Sequence, residues 1–260
     1  MKVGTGIYLE KFSKNPNFYR NEYQCLEIQD FVMPDNLGKN RHALVNKYNT
    51  MLKNYKGILS VHGPYIDLHP TSFDPLIRDV CMQRYRQVLS VAKNLNAKYV
   101  ILHSDYEPIK EYNGYEDYLL QQNIIFWEEF IKEFETLKIT AVIENIHNKD
   151  GSLIKNIIDA VNSPYLGACL DTGHAYALGK SDITTWVEYY GQRLRYIHLH
   201  DNHGAQDQHL PLGEGSIDFK NFFRKLREIR YDSLLICEIF GEINIQRQNL
   251  KQLEHFMCNR

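Results

Sequence analysis

The sequence predicts a parallel (β/α)8 barrel, and three observations carry the prediction. Eight short β-type runs recur along the chain, helix-type segments separate them, and the runs are continuously apolar where a half-exposed strand would alternate. Strands of that kind are covered on both faces, and right-handed crossovers then close the sheet into a TIM barrel. An open doubly wound sheet would normally place a glycine-rich phosphate turn after its first strand. The residues after Leu9 read EKFSKNPN and contain no glycine.

In chain order the strand runs are KVGTGIYL (2–9), QCLEIQDF (24–31), GILSVHG (57–63), KYVILHS (98–104), ITAVIEN (139–145), LGACLD (166–171), LRYIHLHD (194–201) and SLLICEIF (233–240). Lys11 to Tyr23 is the weakest helical pattern. Helices are expected near 40–55, 75–96, 115–136, 152–162, 182–193, 218–230 and 243–257. In 75–96, Ile77, Cys81, Tyr85, Val88, Ala92 and Leu95 recur at three and four residues, as one buried helical face requires. Phe126, Trp127, Phe130 and Phe134 share a face in the same way and read as helix core. No linker, repeat or low-complexity segment interrupts the pattern, so residues 1–260 read as a single domain.

Composition narrows the function classes. The 260 residues include 30 Lys and Arg against 32 Asp and Glu, which leaves a formal net charge of -2 and excludes a strongly basic nucleic-acid protein. With 12% aromatic residues and apolar periodicity nearly end to end, disorder is excluded as well. No window offers the ~20 apolar residues of a membrane span, and MKVGTGIYLEKFSKN has no basic head followed by a long apolar stretch. A cytoplasmic protein is the expectation. None of the five cysteines forms a CxxC pair, and all five read as reduced thiols, most of them in the core.

In such a barrel the C-terminal strand ends surround one mouth, where chemistry is carried out. His62, His103, Glu144, Asp171 with His174, His198 and Glu238 all fall at that end of six successive strands. One histidine at a strand end is ordinary hydrogen-bonded structure; seven metal-capable side chains at one mouth indicate a site. Imidazole and carboxylate without thiolate select a divalent ion such as Zn, Mn or Co. Crowded together, Glu144, Asp171 and Glu238 are expected to repel and to rise in pKa until a dication relieves them. The stretch IHLHDNHGAQDQHLPLGEG (197–215) places His198 and His200 on one side of a strand. Its proline and glycines predict a turn that returns Asp207 and His209 over the mouth.

These residues carry a resemblance. The chain resembles the xylose-isomerase-like TIM-barrel superfamily through EIQDF (27–31), HGPYIDLHP (62–70), SFDPLIRDV (72–80), VIEN (142–145), CLDTGHAYALG (169–179), HLHDN (198–202), DQHLPLGEG (207–215) and ICEIF (236–240). That superfamily holds sugar and sugar-phosphate isomerases and epimerases, and also the endonuclease IV group. The resemblance implies that Glu144, Asp171, His198 and Glu238 hold one Mn, Co or Zn ion, as they match a site common to both branches. It further implies a second endonuclease IV-like position at His62, His103 and Glu144 and a third at His174, Asp207 and His209, making up to three zinc ions. Tyr65 matches a tyrosine that stands near the DNA there.

Two departures from endonuclease IV stand out: VGTGIYL replaces its histidine-bearing first strand, and the acidic EIQDFVMPDN replaces its glutamine- and arginine-bearing loop. Glu27, Asp30 and Asp35 at the mouth are expected to repel a phosphate backbone. From the epimerases the chain departs by having DQHLPLGEG where they carry an arginine and a proline-glycine turn. The reading preferred at this point is a metal-dependent isomerase or epimerase of a small sugar or sugar phosphate, with Glu144 and Glu238 moving protons through an enediolate. His62, His103, His200, Tyr65 and Asn145 would then contact substrate. Lys110, Lys149 and Lys180 lie in strand-end loops, where surface solvation is the expected role of each and phosphate binding the alternative. The alternative is a multinuclear zinc phosphodiesterase acting on abasic DNA or another phosphoester; a barrel that has lost catalysis is the third. No membrane partner is expected in any of them.

Overall fold

A computed structural model describes residues 1–107, 113–179, 181–239 and 241–258. Eight parallel strands close into a barrel in the order β1 to β8: Lys2–Ile7, Cys25–Ile28, Ile58–His62, Tyr99–His103, Thr140–Glu144, Leu166–Asp171, Leu194–Leu199 and Leu234–Cys237. Each lies within its predicted run. The runs at 2–9 and 24–31 were too long by their last residues, because Leu9 opens a helix and Asp30–Val32 forms a helical turn.

Helices surround the strands. They are α1 Leu9–Lys14, α2 Pro16–Glu22, α3 Pro34–Leu37, α4 Arg41–Met51, α5 Pro75–Asn94, α6 Tyr115–Leu137, α7 Ser152–Val161, α8 Thr172–Ala177, α9 Ile183–Tyr190, α10 Phe219–Glu228 and α11 Ile243–Cys258. The weak segment before β2 is split into α1 and α2 by Pro16, which sits comfortably only in a first turn. Residues 191–193, expected to continue α9, form a tighter turn, because Gly191 at φ 47° ends the helix. The short α3 and α8 escaped prediction, being less than two turns each. Ile77 corrects the α5 face: Cys81, Tyr85, Val88, Ala92 and Leu95 are buried, but Ile77 is 40% exposed beside exposed Phe73, Leu76 and Val80. Periodicity identifies a face without saying how far a neighbour covers it. Cys25, Cys81, Cys169 and Cys237 are buried free thiols and Cys258 is exposed.

Side chains alternate across every strand, so two cores form. Leu26, Val61, Val100, Leu102, Ala141, Ile143, Leu170, Ile197 and Leu235 pack outward under the helices. Cys25, Ile101, Val142, Cys169, Tyr196, Leu234 and Ile236 fill the barrel interior. Two residues beyond an interior residue the next inward position is reached, one layer nearer the mouth. Ile101 leads to His103, Val142 to Glu144, Cys169 to Asp171, Tyr196 to His198 and Ile236 to Glu238. Cys25 leads by the same step to Glu27.

The register of β6 on β7 slips by one residue between Ala168 and Cys169, so Ala168 pairs with Leu194 but Asp171 pairs with His198. Without the slip Ile197 would face Asp171. The extra residue, Arg195, turns to solvent, and the irregularity re-aims the end of the strand at the mouth.

Candidate metal centre

Above the interior core the strand ends deliver a nearly continuous ring of imidazoles and carboxylates. His103 pairs with Glu144 across β4 and β5, and Asp171 with His198 across β6 and β7. Glu144 stands at the centre, 1% exposed. Its Oε2 lies 3.3 Å from Nε2 of both His62 and His103, and its Oε1 lies 3.1 Å from His198 Nδ1. His198 Nδ1 is also 3.5 Å from Glu238 and 3.8 Å from Asp171. Donor atoms therefore converge in several overlapping groups, three of which hold the ligands expected from the sequence: His62, His103 and Glu144; Glu144, Asp171, His198 and Glu238; and His174, Asp207 and His209 joined by His200. All nine residues proposed as ligands from the sequence come together.

Most of the imidazoles have one nitrogen committed outside the cluster, which aims the other inward. Nδ1 of His62 donates to the Gly63 carbonyl at 3.0 Å, Nδ1 of His174 to the Asn145 carbonyl at 3.0 Å, and Nδ1 of His209 to the Glu238 carbonyl at 2.6 Å. Nε2 of His198 donates to Glu27 at 2.9 Å. Outer partners of this kind are what orient imidazole ligands on a metal. Glu144 Oε2 is buried without a hydrogen bond although two imidazole nitrogens stand 3.3 Å away. That orphaned oxygen and the all-oxygen-and-nitrogen donor set fit a divalent cation.

The expected common rise of the three carboxylates is corrected. Burial acts to raise Glu144, but the charge of His198 and the adjacent imidazole of His103 outweigh it and hold Glu144 well below the usual range. Burial is likewise outweighed at Asp171, which His174 and His200 bring down to about 2. Only Glu238 rises: burial pushes it up to about 7, with Glu27 and Glu144 adding and His198 opposing. The partners gain basicity against their own burial, His62 to about 9 beside Glu144, His174 to about 10 beside Asp171 and Asp207, and His209 to about 9 beside Asp207. Buried His103 falls to about 4. Imidazolium protons thus supply the positive charge that the carboxylates require.

The loop after β7 is organised by a residue the sequence reading passed over. Asp201 is fully buried and its carboxylate accepts N–H groups of Gly213 at 3.0 Å, Gly215 at 2.9 Å, Ile217 at 3.1 Å and Asn202 at 2.8 Å. Its backbone pairs with Leu210 in an antiparallel bridge. The returning turn needs Gly213 at φ 83°. These bonds bring Asp207 and His209 over the mouth, and His209 itself holds a positive φ of 50°.

A cavity of about 400 Å³ opens above the ring, lined by His62, His103, Glu144, His174, Asp207, His209 and Glu238. Tyr65 stacks on His103 at 4.2 Å on one wall, and Tyr8, Lys11, Gln29 and His147 complete others. Two expected substrate contacts are relocated. Asn145 is fully buried and spends its side chain on the Asp171 backbone, donating at 3.1 Å and accepting at 2.9 Å. His200 is fully buried beneath His209, off the cavity wall. Of the three lysines, Lys149 pairs with Glu116 at 3.1 Å, while Lys110 and Lys180 lie outside the described residues.

The acidic-mouth expectation is corrected too. Glu27 lies on the floor of the site, 0% exposed, held by His198, by Tyr196 at 2.7 Å and by Gln29, which also reaches Glu238. Asp30 accepts from the Leu9 amide at 2.9 Å and from Tyr48. Only Asp35 of the three is exposed. Paired or buried carboxylates of this kind do not repel a passing phosphate as free ones would.

Fold and site together define a (β/α)8 barrel with imidazole and carboxylate groups at its mouth that could hold a metal ion. The chain belongs to the xylose isomerase-like TIM barrel family, whose sequence profile matches residues 22–257. Among its relatives, an uncharacterised protein of Methanocaldococcus jannaschii is 29% identical, over 94% of this chain and 79% of that one. A probable endonuclease 4 of Aquifex aeolicus is 25% identical, over 80% and 79%. The crystal structure of a D-tagatose 3-epimerase-like protein superposes with a TM-score of 0.81 at 25% identity, covering 99% of this chain and 97% of that one. Among the described residues no helix is long and apolar enough to cross a membrane.

Proposed function

We propose that the protein is a divalent-metal-dependent isomerase or epimerase of a small sugar or sugar phosphate. The observation that carries the proposal is a cavity of monosaccharide scale whose wall holds Glu144 and Glu238, the two carboxylates that flank His198. Glu144, Asp171, His198 and Glu238 would hold the ion. When bound, it would polarise a substrate carbonyl and acidify the neighbouring C–H. Glu144, held ionised, takes that proton from one side and Glu238, raised to about 7, returns one from the other. Gln29 restrains Glu238 during the exchange, Tyr65 and His103 wall the substrate, and the loop of Asp207 and His209 keeps bulk water from the enediolate.

Incubation with aldoses, ketoses and their phosphates in deuterium oxide, in the presence of Mn, Co or Zn, is expected to introduce deuterium at a C–H next to a carbonyl. Absence of exchange across the panel overturns the proposal.

A second reading has its own supporting observation, the convergence of nine donors in three adjoining groups. That supports a zinc phosphodiesterase using two or three ions to activate water and stabilise the leaving oxygen. It also gains from the loss of two of the three charges that would have repelled a phosphate backbone. Cleavage of an abasic-site duplex or of a simple phosphodiester, with three zinc ions per chain, would favour it; one ion per chain and no cleavage would exclude it.

A further inference from the structure

The first turns of α5 carry an apolar stripe that nothing in the described chain covers. Phe73, Leu76, Ile77 and Val80 recur at three and four residues and are 67%, 71%, 40% and 51% exposed. Single exposed apolar side chains are ordinary on a protein surface, but four in one stripe are not. Phe73 is held in place by stacking on Tyr118, with ring centroids 4.3 Å apart and planes 20° apart. Met33, 50% exposed, stands before α3, and α3 packs against α5. Farther along the helix Gln83, Arg84 and Gln87 follow Leu76, Ile77 and Val80 by seven residues, so the same side turns polar. The stripe is thus confined to the end of α5 beside the mouth.

We infer that this stripe is the contact face of a homodimer in which α5 packs on α5 of a second copy, antiparallel about a two-fold axis between Ile77 and Val80. Area supports a partner of that size. The four side chains expose roughly 400 Å² of mostly apolar surface, the scale at which a patch marks an interaction site. A stable interface takes ~800 Å² from each partner, about 57% of it apolar, so the stripe with its polar margins meets that requirement. Charge selects a second copy as the occupant. Asp74 caps the start of α5 by accepting from the Leu76 amide at 2.9 Å, and Arg84 donates to Gln87 at 3.1 Å; among the described residues neither has an ion partner. They stand at opposite ends of the stripe. An antiparallel copy lays Ile77 on the partner's Val80 and brings Arg84 to the partner's Phe73 and the partner's Asp74. Two-fold symmetry makes each contact twice, giving two cation–π contacts and two ion pairs. The inference is independent of the reaction assigned to the mouth.

The test uses the intact chain. Sedimentation equilibrium over a wide range of concentration is expected to give twice the chain mass. Leu76→Asp should weaken the dimer by about a hundredfold and Arg84→Glu by about tenfold. Far-ultraviolet circular dichroism should stay unchanged in both, because neither side chain is buried in the subunit. In a Cys258→Ser background, which removes the exposed native thiol, oxidation of Ile77→Cys should join two chains. Ile125→Cys, at a position 58% exposed on α6, should stay uncrosslinked. A monomer at every concentration overturns the inference, as does a dimer that Leu76→Asp leaves intact, which would place the contact on another face. Absence of a cross-link through Ile77→Cys overturns the antiparallel arrangement. If Leu76→Asp does not fold, Arg84→Glu and the cross-link still decide.

Discussion

The two flanks of the candidate centre are built in different ways. His62 and His103 stand at the ends of β3 and β4, where closing the barrel sets their positions. His174, Asp207 and His209 come from the first turn of α8 and from a loop that returns only because Asp201 gathers its amides. The first flank follows from the strand register. The second costs the ordering of some fifteen residues and depends on one buried carboxylate. A centre made this way can lose its loop-side position and keep the strand-side ones, so the flanks should separate experimentally.

Glu144→Gln should have the largest effect, since this side chain serves both the strand flank and the centre. Ion content by elemental analysis is expected to fall there while the His174 group is retained, and turnover should drop on the order of 10²- to 10⁴-fold. Equal loss from both flanks would erase the distinction. Asp201→Ala is expected to do the reverse: a buried carboxylate with four amide partners is lost, costing roughly 3–5 kcal/mol in urea unfolding. Any ion held on the loop side should go, and binding around Glu144 should stay.

Glu27→Gln should weaken the central ion by about 10- to 100-fold in competition titrations, because Glu27 fixes the ring of His198. The smallest signal is in protons. His62, His174 and His209, raised to about 9, 10 and 9, hold protons at pH 7 without an ion, and a binding ion must displace them. Calorimetry in buffers of differing ionisation enthalpy should show net proton release, and affinity should rise as pH climbs from 7 to 9. No release at pH 7 would contradict those protonation states.

Glu27 shows where a reading of the chain stopped short. It lies two residues past Cys25, just as His198 lies two past Tyr196, so the strand alternation that turns the other ligands inward applies to it as well. Beside acidic Asp30 and Asp35 the local composition suggests mouth-rim charge, and here periodicity is the better guide than composition. Asp201 was legible only in part: HDN after β7 marks a turn, but the four amides it gathers come from residues up to sixteen positions onward. The pKa pattern was out of reach, since it depends on which imidazole nitrogen meets which oxygen.

By itself the amino-acid order determined the eight strands, their double coverage and the gathering of histidines and carboxylates at one end, because these follow from local periodicity and from chain direction in a parallel barrel. Tertiary structure alone decided that Asp171 faces His198, through a one-residue slip beside Arg195, and that His200 turns an unpartnered nitrogen toward Asp207. Register slips and ring orientations are settled by packing between strands distant along the chain, and no local pattern encodes them.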